Sequence, residues 1–261
     1  SSECGFAKLL PCLRAHPELR GRFHTALEHC DMMVAPLCGI RPPSELPRSI
    51  CAMGHKWMWN AALGGLPSDA FLASVDPLLS GVRQRLDGHY RASNAIAGGL
   101  SDEWAHRLGL RSGIPIPVGA LDAHWDAIGA GCRLGDVVNV IGTSTCIMAL
   151  SDEAKLIPGV SGIVRGSIHP DKLGIEAGLS AAGSLFDAIA LRAKTPIADL
   201  MDEVKDHAAG QTGRLRFAWD DGDRSVRRRP QEVPGAWPRR GRVLGRGPAR
   251  VDLVHRLGQA P

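Results

Sequence analysis

The chain is poor in aromatic residues, 5% of the total with a single Tyr, and holds no run of eighteen apolar residues, so no membrane-spanning helix is expected. Its first residues, SSECGFAKLL, lack a basic segment ahead of a long apolar core and do not read as a secretory signal. C-x-x-C is missing. The seven cysteines, Cys4, Cys12, Cys30, Cys38, Cys51, Cys132 and Cys146, are odd in number and scattered, which argues against a disulfide framework and fits a reducing cytoplasm. Ten histidines occur without an H-x-x-x-H beside a carboxylate on one helical face, so a zinc site built by the protein alone is not expected. Internal repeats are also lacking.

What is present is an ordinary globular composition, 44% hydrophobic and 22% charged over 261 residues, enough to bury a sizeable core in one or two domains. The net charge of +4 is unevenly spread. Residues 224–261 hold ten Arg against Glu232 and Asp252, a local +8, which leaves the preceding 223 residues at −4. That last segment has no lysine, many Arg, Gly and Pro and no amphipathic period, and is expected to be disordered. Nucleic-acid binding through its charge is a weaker reading, because Trp237 is its only aromatic residue.

The chain is organised around residues 114–146. Ile114 to Ala120 is an apolar run bounded by prolines and reads as a buried strand. Asp122 follows, then helical spacing from Ala123 to Gly131, so Asp122 reads either as the cap of that helix or as a base at a strand end. A second strand, Val137 to Ile141, ends in Gly142-Thr143-Ser144-Thr145 before Cys146 to Leu150 resumes. The turn is either an ordinary polar hairpin or a cradle whose hydroxyls and amides hold phosphate oxygens.

Upstream, Phe6 to Leu13 and Leu19 to Leu37 read as a helical pair, and the prolines of Arg41 to Pro47 as a loop. In CAMGHKWMWN, Lys56 lies between a glycine turn and two tryptophans. It reads as an aliphatic stem along apolar surface, or as a sugar site walled by the aromatics. Ser68 and Ser101 are placed to cap helices Asp69 to Ser74 and Asp102 to Leu108, the latter ended by Gly109. Glu176 stands where a strand from Leu173 passes to a helix from Ser180 to Ala193, as a ligand-facing carboxylate or a first-turn helix carboxylate. Pro196 starts a last helix through His207.

Read together, CAMGHKWMWNAALGGLP (51–67), GGLSDEWAHRLGL (98–110), VGALDAHWDAIGAG (118–131), VVNVIGTSTC (137–146) and GIEAGLSAAG (174–183) resemble the L-ribulokinases, among the FGGY carbohydrate kinases. The resemblance implies an α/β, actin-like ATPase (ribonuclease H-like) fold, here an incomplete two-domain carbohydrate kinase. Residues 1–131 would be the C-terminal half of the sugar-binding domain and 132–226 the N-terminal half of the nucleotide-binding domain. It further implies ATP-dependent phosphorylation of the terminal hydroxyl of a ketopentose, L-ribulose to L-ribulose 5-phosphate in L-arabinose catabolism, with magnesium arriving on the nucleotide. By resemblance Asp122 matches the catalytic base, Lys56 and Glu176, together with Asp122, contact the sugar, and Gly142, Thr143, Ser144 and Thr145 face the phosphates. Sugar and ATP are the implied partners, in the cytoplasm and without a membrane, and a homodimer is admitted.

The sequence departs from that pattern in several places. Nothing like the family's early phosphate hairpin precedes residue 51, and the tail has no counterpart of its glycine-rich adenosine loop. Ile147 stands where an aspartate is usual, Asp126 at a usually small position, and Leu179 for a polar residue. The alternative is therefore a non-catalytic remnant that cannot hold ATP. The resemblance stops near Trp219-Asp220-Asp221-Gly222-Asp223, and residues 227–261 are expected to arise from a reading-frame shift.

Overall fold

A computed structural model describes residues 4–155, 157–208 and 211. Expectations for the basic tail lie outside these residues. The chain forms two compact units. The first takes in the residues up to Val138 together with Met148–Leu156 and Gly162–Glu176. The second takes in Asn139–Ile147, Ile157–Ser161 and the described residues from Ala177 onward.

The first unit begins with α1 (Gly5–Ala15) and a 3-10 turn at Pro17–Leu19, and α2 follows at His29–Leu37. The helix expected from Leu19 onward is thus interrupted. Between the turn and α2 the carbonyls are claimed by arginine side chains: Arg48 donates to Ala26 O at 2.9 Å and Arg85 to Phe23 O. Guanidinium donors there replace the helical hydrogen bonds. β1 (Pro47–Ser49) leads into α3 (Ile50–Trp57), where the Ser49 hydroxyl accepts from the Ala52 amide. Asp31 Oδ1 accepts from the Ser49 amide at 3.0 Å and ties α2 to the start of α3. Asp31 is fully buried, and burial pushes its carboxyl up to about 6 against the pull of the Ser49 amide and the Arg48 charge.

The Gly54 that read as a turn lies inside α3. Glycine weakens a helix, but a Cβ here would stand 2.4 Å from Val164 Cγ1. Close helix-to-strand approach accounts for it. Gly54→Ala should therefore destabilise the protein by about 1–3 kcal/mol in urea unfolding, the overpacking cost exceeding Ala's better helix propensity.

After α4 (Asp69–Val75) and α5 (Val82–Arg85), β2 (His89–Arg91) pairs in parallel with β1. Phe6, Met53, Trp57, Leu66, Leu72, Leu79, Val82 and Leu86 form one core, with Phe6 edge-on to Trp57 at 5.0 Å. Trp57 donates its indole N–H to Glu28, and Trp59 stacks on Tyr90. Both tryptophans are thus used in packing. β3 (Ile96–Gly99), α6 (Asp102–Leu108) and β4 (Pro115–Pro117) follow, with β3 and β4 antiparallel. α6 has the expected Ser101 cap and a left-handed Gly109. β4 is shorter than the apolar run, because proline at each end removes a ladder donor.

α7 (Asp122–Gly129) is succeeded by β5 (Val137–Ile141), β6 (Thr145–Ser151), β7 (Gly162–Arg165) and β8 (Leu173–Leu179), paired in the order β5-β6-β8-β7. The first unit continues past the expected division at 131/132 and takes in β7, because α3 packs on that strand through Gly54 and Val164. In the second unit, α8 (Gly183–Ala193) and α9 (Ile197–Val204) pack through Ile189, Leu200 and Val204. α8 starts three residues later than expected, since the Ala182 and Gly183 amides are spent on Thr143 O and Gly142 O. Among the described residues no helix is long and apolar enough to cross a membrane.

Candidate functional site

Three elements of the first unit meet at a buried polar cluster. α3 supplies His55, α7 supplies His124 and β8 supplies Glu176. His55 Nδ1 lies 3.1 Å from Glu176 Oε2, and His55 Nε2 lies 3.0 Å from His124 Nε2. The His124 side chain is 1% exposed and that of His55 3%. Gly162, which faces Glu176 across the β7–β8 ladder, makes room for the ring: a Cβ there would stand 2.5 Å from His55 Nδ1.

Electrostatics divide the cluster. Burial works to raise the Glu176 carboxyl, but the His55 hydrogen bond and the charges around it, Lys56 among them, hold it down at about 2. Burial and then the neighbouring charges of His55 and Lys56 push His124 down to about 3. At neutral pH the cluster therefore contains an ionised carboxylate and a neutral His124. The ligand atoms of the three residues lie within 4.8 Å of one another, close enough for a metal ion. One imidazole, however, presents its two nitrogens on opposite sides of the ring. His55 uses one toward Glu176 and the other toward His124, which suits a hydrogen-bonded chain better than convergence on one ion.

Of the sequence-predicted residues, Glu176 belongs to this cluster and Lys56 acts on it electrostatically. Lys56 adjoins His55 in the last turn of α3, half-buried, and its charge acts on both Glu176 and His124. Asp122 opens α7 two residues before His124 and is exposed. It does not cap the helix: Leu121 takes the cap position, and Asp122 Oδ1 accepts from the adjoining Ala123 amide at 2.9 Å. Glu176 is a strand residue, not part of the first turn of α8. The two histidines were not singled out from the sequence, although each lies within two positions of a chosen residue.

The second unit holds the hairpin. Gly142 N donates to Ser144 O at 2.8 Å, and Gly142 and Thr143 are exposed. Thr145 differs from the expectation. It is 6% exposed, and its hydroxyl donates to Asn139 Oδ1 and approaches Val140 O, so it fastens the turn from within. Gly183 sits against the hairpin, where a Cβ would meet Gly142 O at 2.6 Å. A cavity of about 480 Å³ opens beside them, lined by Thr143, Gly183, Ser184, Phe186, Asp187 and neighbours on α9. Hydroxyls, a helix start without a side-chain cap and an apolar wall fit a phosphorylated ligand.

No protein-family model matches the chain. A ribulokinase from Vibrio parahaemolyticus is 40% identical over 190 residues, 71% of this chain and 34% of that protein. The chain is related to the ribulokinases. A second ribulokinase, from Shouchella clausii, is 34% identical over 87% of this chain and 42% of its own length. Among solved structures, a xylulose kinase from Rhodospirillum rubrum has a TM-score of 0.68 at 22% identity, covering 87% of this chain and 45% of the other. The fold is accordingly part of the FGGY carbohydrate-kinase fold. The chain spans about a third to two fifths of the length of the curated ribulokinases it matches.

Proposed function

We propose that this chain carries the sugar site and the phosphate hairpin of a ketopentose kinase, acting on L-ribulose in L-arabinose catabolism in the cytoplasm. The observation that supports the reading is the meeting of α3, α7 and β8 at His55, His124 and Glu176, with the Lys56 charge acting on Glu176. Phosphoryl transfer asks a protein chiefly for positioning, charge neutralisation and a base near the acceptor oxygen. Asp122, exposed and preceding the helix body, takes the proton from the terminal hydroxyl. Lys56 donates to sugar oxygens and Glu176, ionised, accepts from sugar hydroxyls. Gly142, Thr143 and Ser144 face the phosphates, Thr145 anchors their turn, and Asp187, which lines the same cavity, would meet a magnesium ion carried by ATP. Magnesium supplies neutralisation of the phosphate charge when the nucleotide is bound.

The second reading is a sugar-binding remnant without ATP binding. Calorimetric titration of the 261-residue chain separates the two. Saturable binding of both L-ribulose and magnesium-dependent ATP supports the kinase reading, and L-ribulose binding alone supports the remnant. Absence of L-ribulose binding removes the sugar site.

A further inference from the structure

The polar cluster contains more than the proposed reaction needs. Glu176 could meet a sugar hydroxyl without two histidines behind it, yet His124 is buried with its Nε2 3.0 Å from His55 Nε2, and its Nδ1 has no hydrogen-bond partner among the described residues. An unsatisfied buried nitrogen costs free energy, so the arrangement is maintained against a penalty. The direction of the hydrogen bonds follows from the atoms. The ionised Glu176 carboxylate can only accept, so His55 Nδ1 carries a proton. If His55 Nε2 were also protonated, His124 Nε2 would have to accept, leaving a buried N–H orphaned at His124 Nδ1. A bare ring nitrogen is the cheaper orphan, since unpaired buried N–H groups are rarer than unpaired acceptors. His124 Nε2–H therefore donates to His55 Nε2, and His55 Nδ1–H donates to Glu176.

We infer that His124 and His55 form a one-way hydrogen-bond relay that fixes the orientation of Glu176 as a sugar-hydroxyl acceptor. The inference rests on the sugar site proposed above. Both contacts with the histidines fall on Glu176 Oε2, so the relay holds that oxygen and sets the plane of the carboxylate. Chained hydrogen bonds polarise one another, so the more distant His124 acts on the carboxylate through His55. His124 is thereby a positioning residue, with no contact to substrate required of it. Gly162 belongs to the same device, because it leaves the space the His55 ring occupies.

Nitrogen-15 NMR of histidine side chains in the full 261-residue chain reads the relay without any ligand. It is expected to show the His55 proton on Nδ1 and the His124 proton on Nε2. An Nε2–H tautomer or a doubly protonated ring at His55 overturns the relay whatever the sugar does. Titration with L-ribulose then tests its consequence. His124→Phe, which keeps a ring but donates nothing, should weaken binding about tenfold. His124→Gln, whose amide can still donate, should recover to within about threefold of the unmodified chain. Gln binding as weakly as Phe, in chains that melt at the same temperature, overturns the positioning role. If His124→Phe does not fold, the tautomers and the Gln variant decide. Expected tautomers in a chain that binds no L-ribulose uphold the hydrogen-bond chain, overturn its role in sugar binding and count against the proposed function.

Discussion

Replacing Asp122 by Asn, in a full-length ribulokinase carrying the matching aspartate, should lower turnover by at least about 10²-fold, the lower end of what a positioned general base contributes. Sugar affinity should change little, because the amide keeps the size and most of the hydrogen bonding of the carboxylate. That split, a loss in kcat with KM nearly constant, is the signature of an interaction made in the transition state. Asp122 is exposed, and among the described residues its carboxylate accepts from its neighbour's amide, so no described fold element depends on it. A comparable loss of stability in the variant would contradict this account, and near-normal turnover would remove Asp122 from the role.

The second large effect is on acid stability. His124 has a folded-state value of about 3 against an ordinary 6.5. The unfolded chain therefore takes up a proton from about pH 6.5 downward while the folded chain resists until about pH 3, and stability falls as the pH drops through that window. Glu176, held at about 2, acts in the same direction from its ordinary 4.5 downward. Asp31, raised to about 6, acts the other way, binding its proton in the folded state first and offsetting part of the loss between pH 6 and 3.8. Comparing the chain with His124→Gln cancels the Asp31 contribution. Between pH 7 and 4 the unmodified chain should lose on the order of 3 kcal/mol more than the variant, read from urea midpoints. Parallel profiles would show that His124 is not held neutral by the fold.

Much of the framework was legible because it depends on local rules. The Ser101 to Gly109 helix, the β5 turn into β6 and the β8 strand follow from cap, turn and apolar signals within a few residues of each other. Failures occurred where distant groups override local preference. Phe23 to Glu28 has helical spacing, but Arg48 and Arg85 come from far along the chain to take its carbonyls. Gly54 reads as a breaker until Val164 is seen against it. The same holds for the site. Lys56, Asp122 and Glu176 could be chosen from their sequence contexts, whereas the contact of His55 with His124 spans 69 positions and joins two helices. No periodicity announces such a pair.

The link from Asp31 to the Ser49 amide affects how a mutational survey of this protein would be read. Asp31 is fully buried, its Oδ2 has no hydrogen-bond partner, and it secures the first turn of the helix that carries His55 and Lys56. Substitutions there would be scored as inactivating, and would remove a titration near 6 that imitates a catalytic carboxylate. A screen that ranks positions by lost activity alone would place Asp31 beside Asp122. Only a measurement of folded fraction alongside activity would separate a residue proposed to touch the sugar from one that anchors the helix carrying His55 and Lys56.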